Sequence, residues 1–268
     1  MTQITAAQVN GLRKQTGAGM MDCKKALIET NGDTEKAIDV LRKKGQKVAA
    51  NRADRDSLEG VVLSSISKDS TTGVMLSLNC ETDFVAKNES FIALANSILS
   101  LALNHKSESI QDVKELSFES GLTVYDKLIE QTGVIGEKIE LNNYSIINAP
   151  HVSNYIHNGN KLSTLIGLNM STDDSSQIGQ NIAMQIAAMN PLALNESDIS
   201  KEVIDKEIEI GKDLAKKEGK PEQMLEKIAL GRLKKFFKEN TLLNQTYIQD
   251  SKKSVKQYLD DCNKDLDV

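Results

Sequence analysis

The side chains best able to act as nucleophiles, general bases or metal ligands are few in this 268-residue chain: three cysteines (Cys23, Cys80, Cys262) and three histidines (His105, His151, His157). No CxxC pair and no cysteine–histidine spacing of the zinc-binding kind joins them, so neither a disulfide framework nor a metal centre is expected. Cys80 with His157 is the only candidate nucleophile–base pair. Cys80 alternates with Leu76 and Leu78 at the end of an apolar run, which suits a buried, inert thiol better than an ionised one. The phosphate-wrapping pattern G-x-x-x-x-G-K-[ST] is absent, since "GVIGEKIE" at 133–140 lacks its spacing, and GxGxxG, HExxH and GxSxG are absent too. The chain does not read as an enzyme, and no cofactor is expected.

The stretch "NCETDFVAKN" at 79–88 offers a different chemistry, that of contact. It lies between an alternating apolar run and a helical pattern, so it reads as a turn with a helix start, for which Thr82 and Asp83 are suitable. Phe84 and Val85 are not obvious turn residues. Either Phe84 packs back on its own helix as a staple across the cap, or the pair forms an exposed apolar tip aimed at another molecule. An internal repeat bears on the choice. Leu76-Ser77-Leu78-Asn79 aligns with Ile166-Gly167-Leu168-Asn169, and Thr82-Asp83 with Thr172-Asp173, at an offset of 90 residues. Asp174-Ser175 stands where the first copy has Phe84-Val85, so the apolar pair is not needed merely to build the turn.

The elements that must position this stretch follow from local pattern. Residues 4–9 form a capping box with its staple, in which Thr5 and Gln8 bond reciprocally and Ile4 packs on Val9. The helix they start stops at Gly17. A second helix spans about Met20 to Thr30, and Asp33 caps a third that ends near Gly45. Adjacent Met20 and Met21 cannot both enter one narrow apolar stripe: either can be core, or the turn 17–19 presents at least one of them outward as an adaptable contact. The basic stretch "RKKGQKVAANRADR" reads as a solvated linker helix rather than a nucleic-acid patch. Alternating runs at 60–67 and 71–80 read as a hairpin, and Phe91, Leu94, Ala95, Ile98 and Leu101 as one helix face. The same plan recurs from residue 152, with "KIELNNYSII" as a third sheet element between the copies. Later, Ile199, Val203, Ile210 and Leu214 share one helix face, and Leu225, Ile228, Leu233 and Phe236 share another. Gly219-Lys220-Pro221 joins these two helices, which form an antiparallel pair that either projects as an arm or packs in the ordinary way.

The expected fold class is therefore α+β. Its parts are a three-helix module (1–45), a basic linker (46–58), a first core subdomain (59–147) and a second (148–198), each a small antiparallel sheet backed by helices. A helical hairpin (199–240) is inserted before the rest of the second subdomain (241–268). Hydrophobic residues make up 39% and aromatics 4%, with no Trp, so the cores must be aliphatic. A net charge of −5 argues against non-specific nucleic-acid binding, which needs a basic face. No apolar run approaches membrane-spanning length and the start, "MTQITAAQ", lacks a secretion-signal layout, so a cytoplasmic location without membrane contact is expected.

"LRKQTGAGMMDCKKAL" with "NGDTEKAIDVLRKKG" resembles the ubiquitin-associated-like (UBA-like) module that opens bacterial elongation factor Ts, and "NCETDFVAKNESF" resembles that family's Thr-Asp-Phe-Val signature. The resemblance takes in nearly the whole chain, including "YIHNG" and the hairpin's "GKPEQMLEKIALGRLKKF". It implies a guanine-nucleotide exchange factor that binds EF-Tu in GDP-bound and nucleotide-free forms. Thr82, Asp83, Phe84 and Val85 would enter the partner beside its Mg²⁺ and phosphate site and dislodge the ion. Met20 and Met21 would touch the GTP-binding domain, Tyr155 and His157 another part of EF-Tu, and Ile135 and Gly136 in "VIGEK" would form a further contact. A non-catalytic adaptor that uses the opening module to hold a protein partner is the alternative. The resemblance leaves open whether the protein pairs as a homodimer. Family members usually continue into a further strand with an Arg-Phe pattern, which this sequence lacks after "NKDLDV".

Overall fold

The computed structural model describes residues 4–263, so the first three residues of the 1–45 module and the last five of the 241–268 span lie outside the described residues. The chain divides into two compact units, one of residues 1–149 with 156–165 and the other of 150–155 with 166–268.

The first unit opens with helices α1 (Ala6–Thr16), α2 (Met20–Glu29) and α3 (Thr34–Asn51). The capping box forms as its residues dictate: the Thr5 amide donates to Gln8 Oε1 at 2.9 Å, and the Gln8 amide to Thr5 Oγ1 at 3.3 Å. Gly17 takes the left-handed conformation (φ 70°) that ends α1. Val9, Leu12, Cys23, Ala26, Leu27 and Ala37 make the buried centre of this bundle. The third helix does not stop at Gly45 but runs on to Asn51 through the stretch expected as a linker. Gly45 serves close approach rather than termination, because the backbone of 129–133 passes directly over it, and a β-carbon on Gly133 would come within 2.4 Å of the Gly45 Cα.

Strands β1 (Glu59–Ile66) and β2 (Thr72–Cys80) form the expected hairpin, with Val61 opposite Leu78 and Leu63 opposite Leu76. A four-residue helix α4 (Asp83–Ala86) follows, then α5 (Glu89–His105), α6 (Ile110–Glu115), α7 (Val124–Ile135) and strand β3 (Glu140–Asn148). β3 pairs antiparallel with β2, so "KIELNNYSII" is the third strand of the first sheet, in the order β1-β2-β3. The inward face of this sheet, with Val61, Leu63, Val74, Leu76, Leu78 and Leu141, meets Phe91, Leu94, Ala95, Ile98 and Ala102 of α5. Burying one such large side chain stabilises by ~1.5–3 kcal/mol, so this aliphatic layer supplies the rigid base from which α4 departs.

Strands β4 (His151–Ile156) and β5 (Ser163–Leu168) form a two-stranded sheet whose tip, 156–165, belongs to the first unit. In the second unit α8 (Ser175–Met189) packs Ile182 with Leu242, Tyr247 and Val255, and the rings of Tyr247 and Tyr258 stack at 4.2 Å. Two fully buried carboxamides bond to each other, Gln185 Nε2 donating to Gln245 Oε1 at 3.2 Å. Helices α9 (Lys201–Lys217) and α10 (Glu222–Asn240) form the inserted hairpin, followed by β6 (Thr246–Tyr247), β7 (Asp250–Ser254) and α11 (Val255–Asn263). The ends of the hairpin are stitched together, since the Leu192 amide donates to the Asn240 carbonyl at 2.8 Å and the Leu242 amide to the Ala193 carbonyl at 2.9 Å. On the α10 side the expected face holds, with Leu233 buried and Leu225, Ile228 and Phe236 half-buried, and Ile199 before α9 is buried too, but the face of α9 itself differs from the expected one. Gly211, Ala215, Ala229 and Leu233 are buried, whereas Val203, Ile210 and Leu214 are exposed. A β-carbon on Gly211 would come within 3.1 Å of the Ala229 Cα, so small residues set the close contact and larger ones flank it.

Candidate functional site

The site begins where β2 runs out. Cys80 is fully buried, its thiol donates to the Thr82 carbonyl at 3.2 Å, and burial with the nearby Glu137 charge pushes it up to about 11. It is thus a protonated packing residue at neutral pH, not a nucleophile. Among the described residues no group of three or more His, Cys, Asp or Glu side chains could hold a metal ion.

Thr82 has the extended backbone of an N-cap (φ −124°, ψ 153°), and its hydroxyl oxygen accepts from the Val85 amide at 3.5 Å. The helix it caps is a single turn, and its residues point in different directions. Ala86 is buried and Val85 is half-buried against the core of the first unit. Phe84 points away from the core and is 82% exposed. The tip is therefore Phe84 alone, not a Phe84–Val85 pair, because Val85 anchors the turn. The repeat obeys the same rule: Asp174 is exposed, while Ser175, at the position of Val85, is 2% exposed.

Asp83 pairs with Lys87 at 2.6 Å, and that hydrogen bond is the main cause holding its carboxyl below the usual range, with the Lys161 charge a weaker one. Behind the turn, Glu137 Oε1 accepts from the Thr82 hydroxyl at 2.8 Å and Oε2 from the Thr82 amide at 3.0 Å. Glu81 accepts from the Lys138 amide at 2.7 Å, and Arg52 Nη1 straddles both Glu81 oxygens at 2.8 Å. The Lys138 amide first, and Arg52 less strongly, keep the Glu81 carboxyl below the ordinary glutamate range. Apart from Lys87, these contacts join residues 29, 55 and 57 positions apart in sequence, so local pattern gave no sign of them.

The structure brings some of the remaining expected residues onto the same unit. Ile135 ends α7 half-buried in the core, and Gly136 (φ 82°) forms its left-handed cap directly before Glu137. His157 is exposed at the β4–β5 tip, where its amide donates to the Leu162 carbonyl at 2.8 Å. That tip is tied to β1: the Val62 amide donates to the Asn160 carbonyl at 2.7 Å, Ser163 bonds Ser64 at 2.6 Å and Lys161 pairs with Glu59. Glu59 lies opposite Cys80 in the sheet, so the His157 turn sits at the same sheet end as the Phe84 turn. Met20 and Met21 are 55% and 62% exposed at the start of α2, so both are presented, where the sequence pattern excluded only that both were core. Tyr155 is half-buried and belongs to the second unit.

Comparison with known proteins gives a consistent result. The family described as "Elongation factor TS" matches residues 81–268. Over its whole length the chain is 55% identical to "Elongation factor Ts" of Christiangramia forsetii, covering 97% of that protein. It is also 52% identical over its whole length to that of Flavobacterium psychrophilum, again covering 97% of it. Against that of Porphyromonas gingivalis, 99% of the chain aligns at 45% identity with 95% of the relative.

Proposed function

This chain belongs to the elongation factor Ts family, so it is a translation elongation factor acting in nucleotide exchange on EF-Tu, and we propose that it acts by pressing Phe84 into EF-Tu beside the bound Mg²⁺ and phosphates. The observation that carries this reading is the placement of Phe84. It is the one exposed phenylalanine among the described residues, on a capped turn whose other apolar side chains face inward.

The physics needs no catalytic group. A GTPase holds GDP through its phosphate loop and Mg²⁺, and its switch segments depend on that ion. A partner that binds more tightly to the arrangement with ion and diphosphate displaced speeds their loss. Burying one phenylalanine supplies ~1.5–3 kcal/mol, and couplings between two bound ligands are ~1–3 kcal/mol, so one wedge is large enough for much of the effect. By reciprocity, GDP weakens binding of this protein to EF-Tu by the same factor. Thr82 caps the turn, Asp83 brings its carboxylate into the same pocket, and Val85 holds the turn to the core. Met20 and Met21 give the opening module an adaptable apolar contact. Ile135, Gly136, Tyr155 and His157 complete the surface in this proposal.

The test is release of fluorescent GDP from EF-Tu, timed with wild-type protein and with Phe84→Ala across a range of Mg²⁺ concentrations. The wedge predicts that the variant loses most of the acceleration and that excess Mg²⁺ opposes the wild type. Equal acceleration by both proteins removes Phe84 from the mechanism.

A further inference from the structure

We infer that Glu137 is a positioning residue for nucleotide exchange: its carboxylate fixes the Thr82 cap, and through it the direction in which Phe84 points. The inference rests on the proposed role of Phe84 and concerns a residue 55 positions from Thr82 in sequence.

A four-residue helix has no stability of its own, because one or two hydrogen bonds cannot offset the ordering of its backbone. Its only side-chain cap bond, from the Val85 amide to Thr82 Oγ1, is long at 3.5 Å. The stronger ties come from outside. Glu137 takes both donors of Thr82, at 2.8 and 3.0 Å, and hydrogen bonds to an ionised acceptor are about twice as strong as neutral ones. In return Glu81 takes the amide of Lys138, so two adjacent residues of the turn and two of the loop each lend a carboxylate to the other's backbone.

The loop that carries Glu137 is itself a rigid mount. Gly136 closes α7 with its amide on the Thr132 carbonyl at 2.9 Å, and the Ile139 amide donates to Thr132 Oγ1 at 3.2 Å. Thr132 is 3% exposed, so Glu137 is pinned on both sides through one buried residue. The segment "VIGEK" thus acts as a brace behind the turn in addition to any contact it makes. A braced turn meets its partner already ordered, which removes an ordering cost from binding.

The test measures GDP release from EF-Tu with full-length wild type, Glu137→Ala, Glu137→Gln, Phe84→Ala and the Phe84→Ala/Glu137→Ala double variant. Glu137→Ala should lower the acceleration on the order of tenfold, as loss of such hydrogen bonds implies. Glu137→Gln keeps one acceptor and should fall between it and wild type. In the Phe84→Ala background, Glu137→Ala should cost far less, because the brace acts mainly through the ring it orients and only the Asp83 carboxylate on the same turn is left to lose. Hydrogen exchange at the Thr82 amide should quicken in both Glu137 variants under conditions where circular dichroism shows them folded. Wild-type activity in Glu137→Ala, or the same fold loss with and without Phe84, would overturn the inference. Phe84→Ala without effect would bring down the exchange reading alone, and the Thr82 amide would still decide whether Glu137 holds the turn.

Discussion

Gly133 of α7 lies so close over Gly45 of α3 that a β-carbon on Gly133 would come within 2.4 Å of the Gly45 Cα. The atom in the way is backbone, which cannot swing aside. The opening bundle is therefore seated on the body of the first unit through two bare glycines, and every larger residue at position 133 must push the helices apart.

This gives a reversal of sign that a melting experiment can read. In a helix interior Ala is normally more stable than Gly by ~0.5–1 kcal/mol. Gly11→Ala in α1, where nothing lies within 4 Å of the new methyl, should follow that rule and raise the melting temperature. Gly133→Ala should instead lower stability by ~1–3 kcal/mol through overpacking.

The repeat yields a second contrast. Replacing Phe84 by aspartate, the residue at the equivalent position 174, should leave stability within ~0.5 kcal/mol, because the ring is exposed and touches little. Replacing Val85 by serine, its counterpart at 175, removes part-buried apolar surface and should destabilise by ~1 kcal/mol. Chemical unfolding of the two single variants separates anchor from tip.

Much of this was legible in the sequence for local reasons. The Thr5–Gln8 box, Gly17, the β1–β2 hairpin and the buried face of α5 each follow from residues within one or two turns of one another. Gly45 misled because a glycine after an apolar run signals a helix end, and only the distant Gly133 reveals its use. The α9 side of the hairpin seam misled in a similar way: the large residues Ile210 and Leu214 mark a face, but Gly211 and Ala215 make the contact. At the candidate site, the turn and the outward Phe84 could be read from pattern and repeat. The bracing carboxylates could not, since Glu81 and Glu137 look like ordinary surface charges until the fold brings them to Lys138 and Thr82.

The ion pair of Arg52 with Glu81 predicts a pH dependence. A carboxyl whose folded value is depressed contributes stability above its unfolded value of about 4.3 and loses it as the pH falls through the folded one. Arg52→Ala should thus be less stable than wild type at pH 7, on the order of 1 kcal/mol after solvent screening. The difference should shrink in acid as Glu81 protonates. Urea midpoints of both proteins at pH 7 and below pH 4 check it, and a gap that widens in acid would contradict the pairing.

In the second unit the buried amides predict a larger loss. Gln245 Nε2 donates to the carbonyls of Met189 at 3.1 Å and Glu239 at 2.9 Å, while Gln185 Oε1 accepts from the Ile248 amide at 2.9 Å. Gln245→Leu keeps the volume but takes the Nε2 donor from those carbonyls and removes one acceptor from Gln185, which retains only the Thr246 carbonyl and the Ile248 amide. The expected destabilisation is ~2–4 kcal/mol, measured by thermal or urea unfolding.

The paired backbones at the foot of the α9–α10 hairpin have a consequence for its length. Chain enters and leaves through one doorway, Leu192 beside Asn240 and Ala193 beside Leu242, so the fold beneath is indifferent to what lies past it. Whole turns, each about 5.4 Å of reach, can be gained or lost in matched pairs on the two helices without re-registering a single strand. The hairpin's length can thus change without disturbing the sheets beneath, while the doorway itself cannot.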